Sequence, residues 1–216
     1  MAVSFNAANA QAPRVAIVDY GMSNLHSVKR KLDRIGVHPQ LTSAPDELLR
    51  ADKLLLPGVG HFAKAMEHLV TMGLVPALHE AVVVRKTPIL GICLGMQLFA
   101  RQSEEGGAKG LGWIDADVVR FDIDDPRRLK VPHMGWNNVR VARSDRLLEG
   151  VTERTEFYFM HSYHLVCRDG ADVLCDTDYG YPFTSAVERG NLYGVQFHPE
   201  KSHDAGEVLL RNFLYL

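Results

Sequence analysis

Cysteine and net charge are both scarce in this chain of 216 residues. Its three cysteines, Cys93, Cys167 and Cys175, are too few and too widely spaced for a disulfide framework or for paired zinc-binding knuckles. A reducing, cytoplasmic compartment is therefore expected. Lysine and arginine number 24 against 26 aspartates and glutamates, a formal charge of −2. This balance offers no strong field for binding nucleic acid or an anionic membrane.

Long apolar runs are also missing, since no stretch approaches the roughly 18 residues that a transmembrane helix needs. A hydrophobic fraction of 46% with 23% charged residues is typical of a soluble globular protein. Residues 1–13 contain neither a basic segment nor a continuous apolar one, which indicates a flexible tail rather than a signal peptide. With no repeat or linker-like tract after this tail, residues 14–216 are predicted to form a single domain.

Strand-like and helix-like segments alternate over the first half of the chain. An apolar run at 14–19 precedes an amphipathic pattern, and the same order recurs after 54–56, where the strand is expected to break at Pro57, and after 88–92. This alternation predicts a doubly wound α/β fold, with a mostly parallel central sheet and helices on both faces. Shorter alternating segments from about residue 112 predict a smaller antiparallel sheet, and 208–214 predicts a closing helix.

One cysteine lies in a pattern typical of a nucleophile elbow. Residues 91–95 read G-I-C-L-G, the cysteine counterpart of the G-x-S-x-G strand-to-helix turn. The glycines leave room for a crowded backbone, and a position at a helix N-terminus favours the thiolate form of Cys93. The backbone N–H of Leu94 is then predicted to point at a developing oxyanion. A buried structural cysteine is the alternative interpretation of this segment.

A histidine and a glutamate two residues apart supply a base and a group to orient it. His198 and Glu200 follow a predicted strand, and alternate positions of an extended segment share one face. If that strand and the elbow end at one edge of a sheet, the pair completes a Cys-His-Glu triad with Cys93. The two glycines of the loop at 57–60 allow a second oxyanion donor, the backbone N–H of Val59.

These three motifs together resemble the class I, or triad-type, glutamine amidotransferases, and the resemblance runs over nearly the whole chain from Val15 onward. It implies a flavodoxin-like fold and hydrolysis of glutamine to glutamate and ammonia, with no metal and no organic cofactor. The segments at 19–24, 132–137, 157–163 and 198–202 are similar to those of the family's glutaminase subunits from histidine biosynthesis. Such subunits feed ammonia to a separate (βα)8-barrel cyclase, so a heterodimer is implied.

The same resemblance implies roles for further residues. The substrate would be bound by the backbone of Gly60, Ser162 and Tyr163, by the side chain of Gln97 and, at its α-ammonium group, by Glu105. The interface with the cyclase would include Asn24, His133 and Trp136. From sequence position alone, Gln97 could equally be a polar helix residue and Trp136 a buried core residue.

Other functions stay open at this point. The triad could serve another amidotransferase subunit, such as one for anthranilate or pyridoxal phosphate synthesis, or a protease-like cysteine hydrolase, which does not typically carry a His-Pro-Glu segment at its last strand. A binding protein with an inactive site is the non-enzymatic alternative, and the intact triad argues against it. Cys167 and Cys175 lie in strand-like runs, so both are expected to be unreactive.

Overall fold

A computed structural model of the chain describes residues 13–124 and 127–216. The strands are β1 Val15–Val18, β2 Gln40–Thr42, β3 Lys53–Gly58, β4 Ile89–Cys93, β5 Gln102–Ser103, β6 Ala108–Lys109, β7 Ala116–Arg120, β8 His133–Asn138, β9 Arg140–Val141, β10 Glu156–His161, β11 Tyr163–Cys167, β12 Val173–Asp178, β13 Pro182–Arg189 and β14 Leu192–Val195. The α-helices are α1 Leu25–Arg34, α2 Pro45–Leu48, α3 Phe62–Thr71, α4 Leu74–His79, α5 Leu94–Gln97 and α6 His203–Leu214. The tail predicted at 1–13 lies outside the described residues except for Pro13, and the single-domain assignment stays a prediction.

The central sheet has a parallel half and an antiparallel half. Strands β2, β1, β3, β4 and β14 lie side by side and run parallel, as predicted. From β14 the same sheet continues antiparallel through β13, β11 and β7. The smaller antiparallel sheet that the sequence predicts is the β8–β10 pair, which among the described residues stands apart from the main sheet.

Helices cover both faces of the parallel half, which confirms the doubly wound arrangement. On one face α1 and α6 pack against the sheet through fully buried side chains such as Leu32 and Phe213. On the other face α3 and α4 do so through Phe62 and Leu78. Full burial of one such side chain contributes about 1.5–3 kcal/mol. The two layers therefore hold the sheet, and with it the carboxyl ends of its strands, in a fixed position.

Strand β3 extends further than the sequence predicts. The break expected at Pro57 is wrong, because Pro57 pairs with Ile92 of β4 and Gly58 pairs with Cys93. On its other side β3 pairs with β1 only as far as Leu55. The absence of an N–H at Pro57 therefore costs no hydrogen bond of the β1–β3 ladder. The extension places the glycine-rich segment directly beside the cysteine.

No single helix among the described residues is long and apolar enough to cross a membrane. One bent pair, Phe62–Thr71 with Leu74–Val84, meets the criterion by length and composition when its two parts are joined across a 93° bend.

Candidate active site

The backbone of Cys93 adopts the strained conformation of a nucleophile elbow. Its φ of 54° and ψ of −113° lie in a region that residues other than glycine rarely occupy. A Cβ atom at Gly95 would overlap the carbonyl oxygen of Leu56, and one at Gly91 would come within 2.7 Å of the Met96 Cα. The two glycines of the elbow are therefore required by close backbone packing, as the sequence predicts.

The predicted base and orienting carboxylate lie in contact just after β14. The Nδ1 atom of His198 is 2.8 Å from Oε1 of Glu200, and the two side chains are only 1% and 4% exposed. The backbone of His198 is fixed on both sides, because its N–H donates to the Tyr158 carbonyl and its carbonyl accepts from the Ser202 hydroxyl. The imidazole therefore has one orientation, with Nδ1 bonded to the carboxylate.

The charge on His198 is governed by its two neighbours. Burial opposes protonation of the ring, but the Cys93 sulfur and the Glu200 carboxylate outweigh it and raise the pKa of His198 to about 10. The Nε2 atom is buried and makes no hydrogen bond of ordinary geometry within the described residues, although the sulfur is near enough to act on the ring's charge. This arrangement places a base of raised proton affinity beside the sulfur, as nucleophilic cysteine chemistry requires.

The segment predicted to supply the second oxyanion donor faces elsewhere. The backbone N–H of Val59 donates to the Met22 carbonyl at 2.7 Å, so it is already engaged. Gly60 has a φ of +114°, a value open to glycine and rarely to other residues. Leu94, the first residue of α5, is the other predicted oxyanion donor. Its backbone N–H has no hydrogen-bond partner of this kind among the described residues.

A cavity of about 180 Å³ opens beside the sulfur. It is lined by Val59, Gly60, Cys93, Leu94, Gln97, Glu105, Pro132, Met160, His161, Ser162 and Tyr163. The structure thus brings every residue that the sequence assigns to glutamine binding into one cavity with the nucleophile. Their roles toward glutamine stay predictions.

The family model for glutamine amidotransferase class I matches residues 16–216. The chain belongs to this family. It is 47% identical over 200 residues to imidazole glycerol phosphate synthase subunit HisH 2 of Methanococcus maripaludis, covering 93% of this chain and 98% of that protein. The corresponding subunit of Pseudomonas aeruginosa is 46% identical, covering 94% of this chain and 99% of its own length.

Solved structures resemble the amidotransferase chain in fold. The PurLQS structure from Thermotoga maritima has a TM-score of 0.72 at 18% identity, covering 95% of this chain and 99% of that one. A glutamine amidotransferase from the same organism gives a TM-score of 0.62 at 15% identity, covering 94% of this chain and 91% of that one. At these identities the likeness supports the fold alone.

Hydrogen bonds restrict what Gln97 of this amidotransferase can offer a substrate. Its Nε2 atom donates to the carbonyl of Tyr163 and to Oε1 of Gln196, both at 2.9 Å. A carboxamide nitrogen carries two hydrogens, so both are used. Only the carbonyl oxygen of Gln97 is left to contact glutamine, which must then meet it with a donor.

Glu105 has a second structural role besides the one predicted for it. Its Oε2 atom accepts from the backbone N–H of Phe62 at 2.7 Å, at the beginning of α3. A carboxylate at a helix N-terminus is stabilised by the helix dipole. Glu105 also lines the cavity, and its role toward the α-ammonium group of glutamine stays a prediction.

The structure separates the three predicted interface residues. Trp136 is 43% exposed and stacks on His203, with the ring centroids 4.9 Å apart, and Asn24 is also exposed. The place of His133 at the interface stays a prediction, but its side chain is only 3% exposed and does not reach the surface of this chain. The reason is strand alternation: in β8, residue 133 faces inward, between the rings of Phe159 and Tyr179, and residue 136 faces outward.

No group of three histidine, cysteine, aspartate or glutamate side chains in the described residues could hold a metal ion. The histidines near the site use their nitrogens otherwise. His161 contacts His133 and the Tyr163 carbonyl, and His164 contacts Leu165 and the Tyr181 hydroxyl. Burial lowers the pKa of His133 to about 4 and holds that of His161 well below its usual value, so both favour the neutral form.

One residue that contacts the sulfur is missing from the sequence-based site. Gln196 is fully buried, and its Nε2 atom donates to Sγ of Cys93 at 3.5 Å. The sequence held a signal for it, since a carboxamide in the apolar run at 193–197, two residues before His198, faces the same side as the base. The other two cysteines are away from this cluster, and burial raises the pKa of Cys167 to about 11 and of Cys175 to about 12.

Proposed function

We propose that this chain is the glutaminase subunit of an imidazole glycerol phosphate synthase. It hydrolyses glutamine to glutamate and ammonia, and a (βα)8-barrel cyclase partner uses the ammonia to convert PRFAR to imidazole glycerol phosphate and AICAR. The observation that carries the proposal is the cysteine elbow with its buried His198–Glu200 pair beside the cavity, in a chain 47% identical to a HisH subunit over nearly its whole length.

The residues divide the reaction into two steps. His198 takes the proton of Cys93, and the thiolate attacks the side-chain amide carbon of glutamine. His198 then gives the proton to the departing nitrogen, which leaves as ammonia, and a γ-glutamyl thioester remains on the sulfur. Water, deprotonated by His198, cleaves the thioester to glutamate and restores the thiol. Glu200 holds the ring through Nδ1, so Nε2 carries the proton at each step.

The acceptor of the ammonia belongs to another protein chain. This chain has no Walker A loop and no basic cluster suited to a substrate with two phosphates. It does present a surface that suits a partner, since Trp136 and Met134 project outward from β8 with 43% and 59% exposure. Tryptophan and methionine are enriched at protein interfaces. Asn24 is also exposed, and we assign it to the same interface with the cyclase. A cytoplasmic location stays a prediction.

The oxyanion segment supports control by that partner. Val59 lies between two glycines, and its N–H is bonded to the Met22 carbonyl in the isolated chain. Rotation of the peptide between Gly58 and Val59 would release this N–H to the cavity. One oxyanion donor is typically worth about a hundred- to a thousandfold in rate. A docked cyclase that favours the rotated peptide would therefore switch the glutaminase on.

The direct test combines the chain with a (βα)8-barrel cyclase and PRFAR, and follows imidazole glycerol phosphate with glutamine or with ammonium chloride as the nitrogen source. We expect the cyclase alone to use only ammonium and the mixture to use both. Failure of the mixture to use glutamine would refute the proposal. Parallel assays with the synthase partners for anthranilate and for pyridoxal phosphate separate the rival amidotransferase roles.

A further inference from the structure

The Cys93 sulfur is contacted by a carboxamide that has no role in the triad. Gln196 is fully buried and directs Nε2 at Sγ from 3.5 Å. The orientation of this carboxamide follows from its neighbours. The Tyr163 carbonyl can only accept, so the Gln97 atom that faces it is the nitrogen, and the Gln196 atom that faces the same nitrogen must be the oxygen. The Gln196 nitrogen therefore faces the sulfur.

The second neighbour of the sulfur has the opposite character. The Met160 carbonyl lies 3.9 Å from Sγ and can only accept the hydrogen of a thiol. When the proton moves to His198, this contact loses its hydrogen. The N–H of Gln196 still points at the sulfur and then donates to an anion, a stronger hydrogen bond than one to a neutral thiol.

We propose that Gln196 is an additional catalytic residue that donates to the Cys93 thiolate, and that Gln97 is the positioning residue that fixes its carboxamide. The geometry that supports this is a chain of three hydrogen bonds that runs from the partly buried Tyr163 carbonyl through two buried glutamines to the sulfur. The inference rests on the proposed glutaminase function, because it assigns the residue to the nucleophile of that reaction.

The backbone keeps Gln196 in register with the base. Its N–H donates to the Ser185 carbonyl at 2.9 Å, just beyond the end of β14. His198 lies two residues later, and an extended segment presents alternate side chains on the same face. One short segment therefore carries both groups that act on the sulfur, the proton acceptor and the hydrogen-bond donor.

The test replaces Gln196 by methionine, which is similar in volume and has no N–H. Alkylation of Cys93 by iodoacetamide is followed from pH 5 to 9 by mass spectrometry of its peptide, and glutamine turnover is measured in the complex with the cyclase. We expect the alkylation profile to move to higher pH and kcat to fall about tenfold, the size of one charge-assisted hydrogen bond. The KM for glutamine should change less than twofold.

Matched variants guard against a purely structural effect. Gln40→Met makes the same change on the exposed edge strand β2 and should leave both measurements at the wild-type values. If Gln196→Met does not fold, it is combined with Gln97→Met, which removes the Gln97 N–H that has lost its acceptor. Replacing both partners of a buried hydrogen bond costs less stability than replacing one. The double variant should show the same shift of the alkylation profile, and only this readout is used for it because Gln97 also lines the glutamine cavity.

Alkylation rates within twofold of wild type at every pH, together with a kcat within twofold, would overturn the proposal. The two glutamines would then have only a packing role. Failure of this proposal and failure of the proposed function are distinguishable. Absence of glutamine turnover in the wild-type complex would refute that function, whereas alkylation tests the Gln196 contact on the chain alone.

Discussion

His198 and Glu200 are joined by a 2.8 Å hydrogen bond and are almost wholly buried, whereas the backbone N–H of Val59 is bonded to the Met22 carbonyl instead of facing the cavity. The two regions lie side by side, since Gly58 pairs with Cys93 across the β3–β4 ladder. In the isolated chain the proposed base is in contact with its orienting carboxylate, whereas the proposed second oxyanion donor faces away from the cavity.

The difference follows from how each region is held. The side chains of His198 and Glu200 are almost wholly buried and are hydrogen-bonded to each other, so moving them would expose or strand charged groups. The Val59 peptide is held by a hydrogen bond to Met22 and is followed by Gly60 at a positive φ. Replacing one hydrogen bond by another costs little, so a partner can act on this backbone segment without disturbing the triad.

The largest effect should come from the nucleophile. Cys93→Ala is expected to reduce glutamine-driven synthesis by at least about ten-thousandfold, because no other group can form the thioester. Synthesis from added ammonium salts should be unchanged, since only ammonia production uses the sulfur. Both rates are measured on the same complex. Loss of the ammonium-driven rate in a folded complex would contradict the division of labour between the subunits.

Within the triad, His198→Ala should approach the loss caused by Cys93→Ala, because proton transfer fails. Glu200→Ala should cost about tenfold to a hundredfold less, since an orienting carboxylate is partly replaceable by water. Steady-state turnover of glutamine by the three complexes gives the order. A Glu200 variant slower than the His198 variant would overturn the roles assigned to the two residues.

The rigidity of the elbow can be tested by adding one methyl group. Gly95→Ala is expected to destabilise the fold by about 3 kcal/mol, because the new Cβ would overlap the Leu56 carbonyl in a central strand. Gly170→Ala is the matched control, since no atom lies within 4 Å of its added Cβ, and it should change stability by less than about 0.5 kcal/mol. Urea unfolding measures both. Equal stabilities would show that the turn adjusts freely.

A smaller effect is expected from the buried histidine His133. Burial lowers its pKa to about 4, so between pH 6.5 and 4 the unfolded chain binds a proton that the folded chain does not. Its contribution to stability is therefore present near neutral pH and decreases on acidification, by about 2 kcal/mol from pH 7 to 5.

The free energy of unfolding at these two pH values measures that contribution. His133→Phe should reduce the loss of stability between pH 7 and 5 by about 2 kcal/mol, whereas the same change at the exposed His79 should not. The quantity compared is the change in the free energy of unfolding between pH 7 and pH 5. A packing change that is the same at both pH values therefore cancels. An unaltered loss in His133→Phe would show that the ring is protonated in the folded chain.

Much of this arrangement could be predicted from local patterns. The parallel core follows from strand and helix periodicity, and the elbow from two glycines whose spacing a crowded turn requires. The proximity of Cys93 and His198 was predictable because parallel strands end at one edge of a sheet, where both residues lie. Each of these inferences depends on residues close in the chain or on a general property of the fold.

What could not be predicted depends on contacts between distant segments. Pro57 is tolerated in β3 only because β1 ends before reaching it, and the burial of His133 depends on strand register and on the rings of Phe159 and Tyr179. The link from Gln97 to Gln196 spans 99 residues. The direction of the Val59 peptide is set by Met22 in a separate loop, and no periodicity in the sequence records it.

Glutamine turnover in three mixtures tests the contrast between the buried His198–Glu200 pair and the backbone N–H of Val59, which faces away from the cavity. It is measured for the chain alone, for the chain with the empty cyclase, and for the chain with the cyclase and its nucleotide ligand. We expect near-idle turnover for the chain alone and a rate about a hundred- to a thousandfold higher in the third mixture, the value of one recovered oxyanion donor. Equal rates in all three mixtures would contradict this expectation.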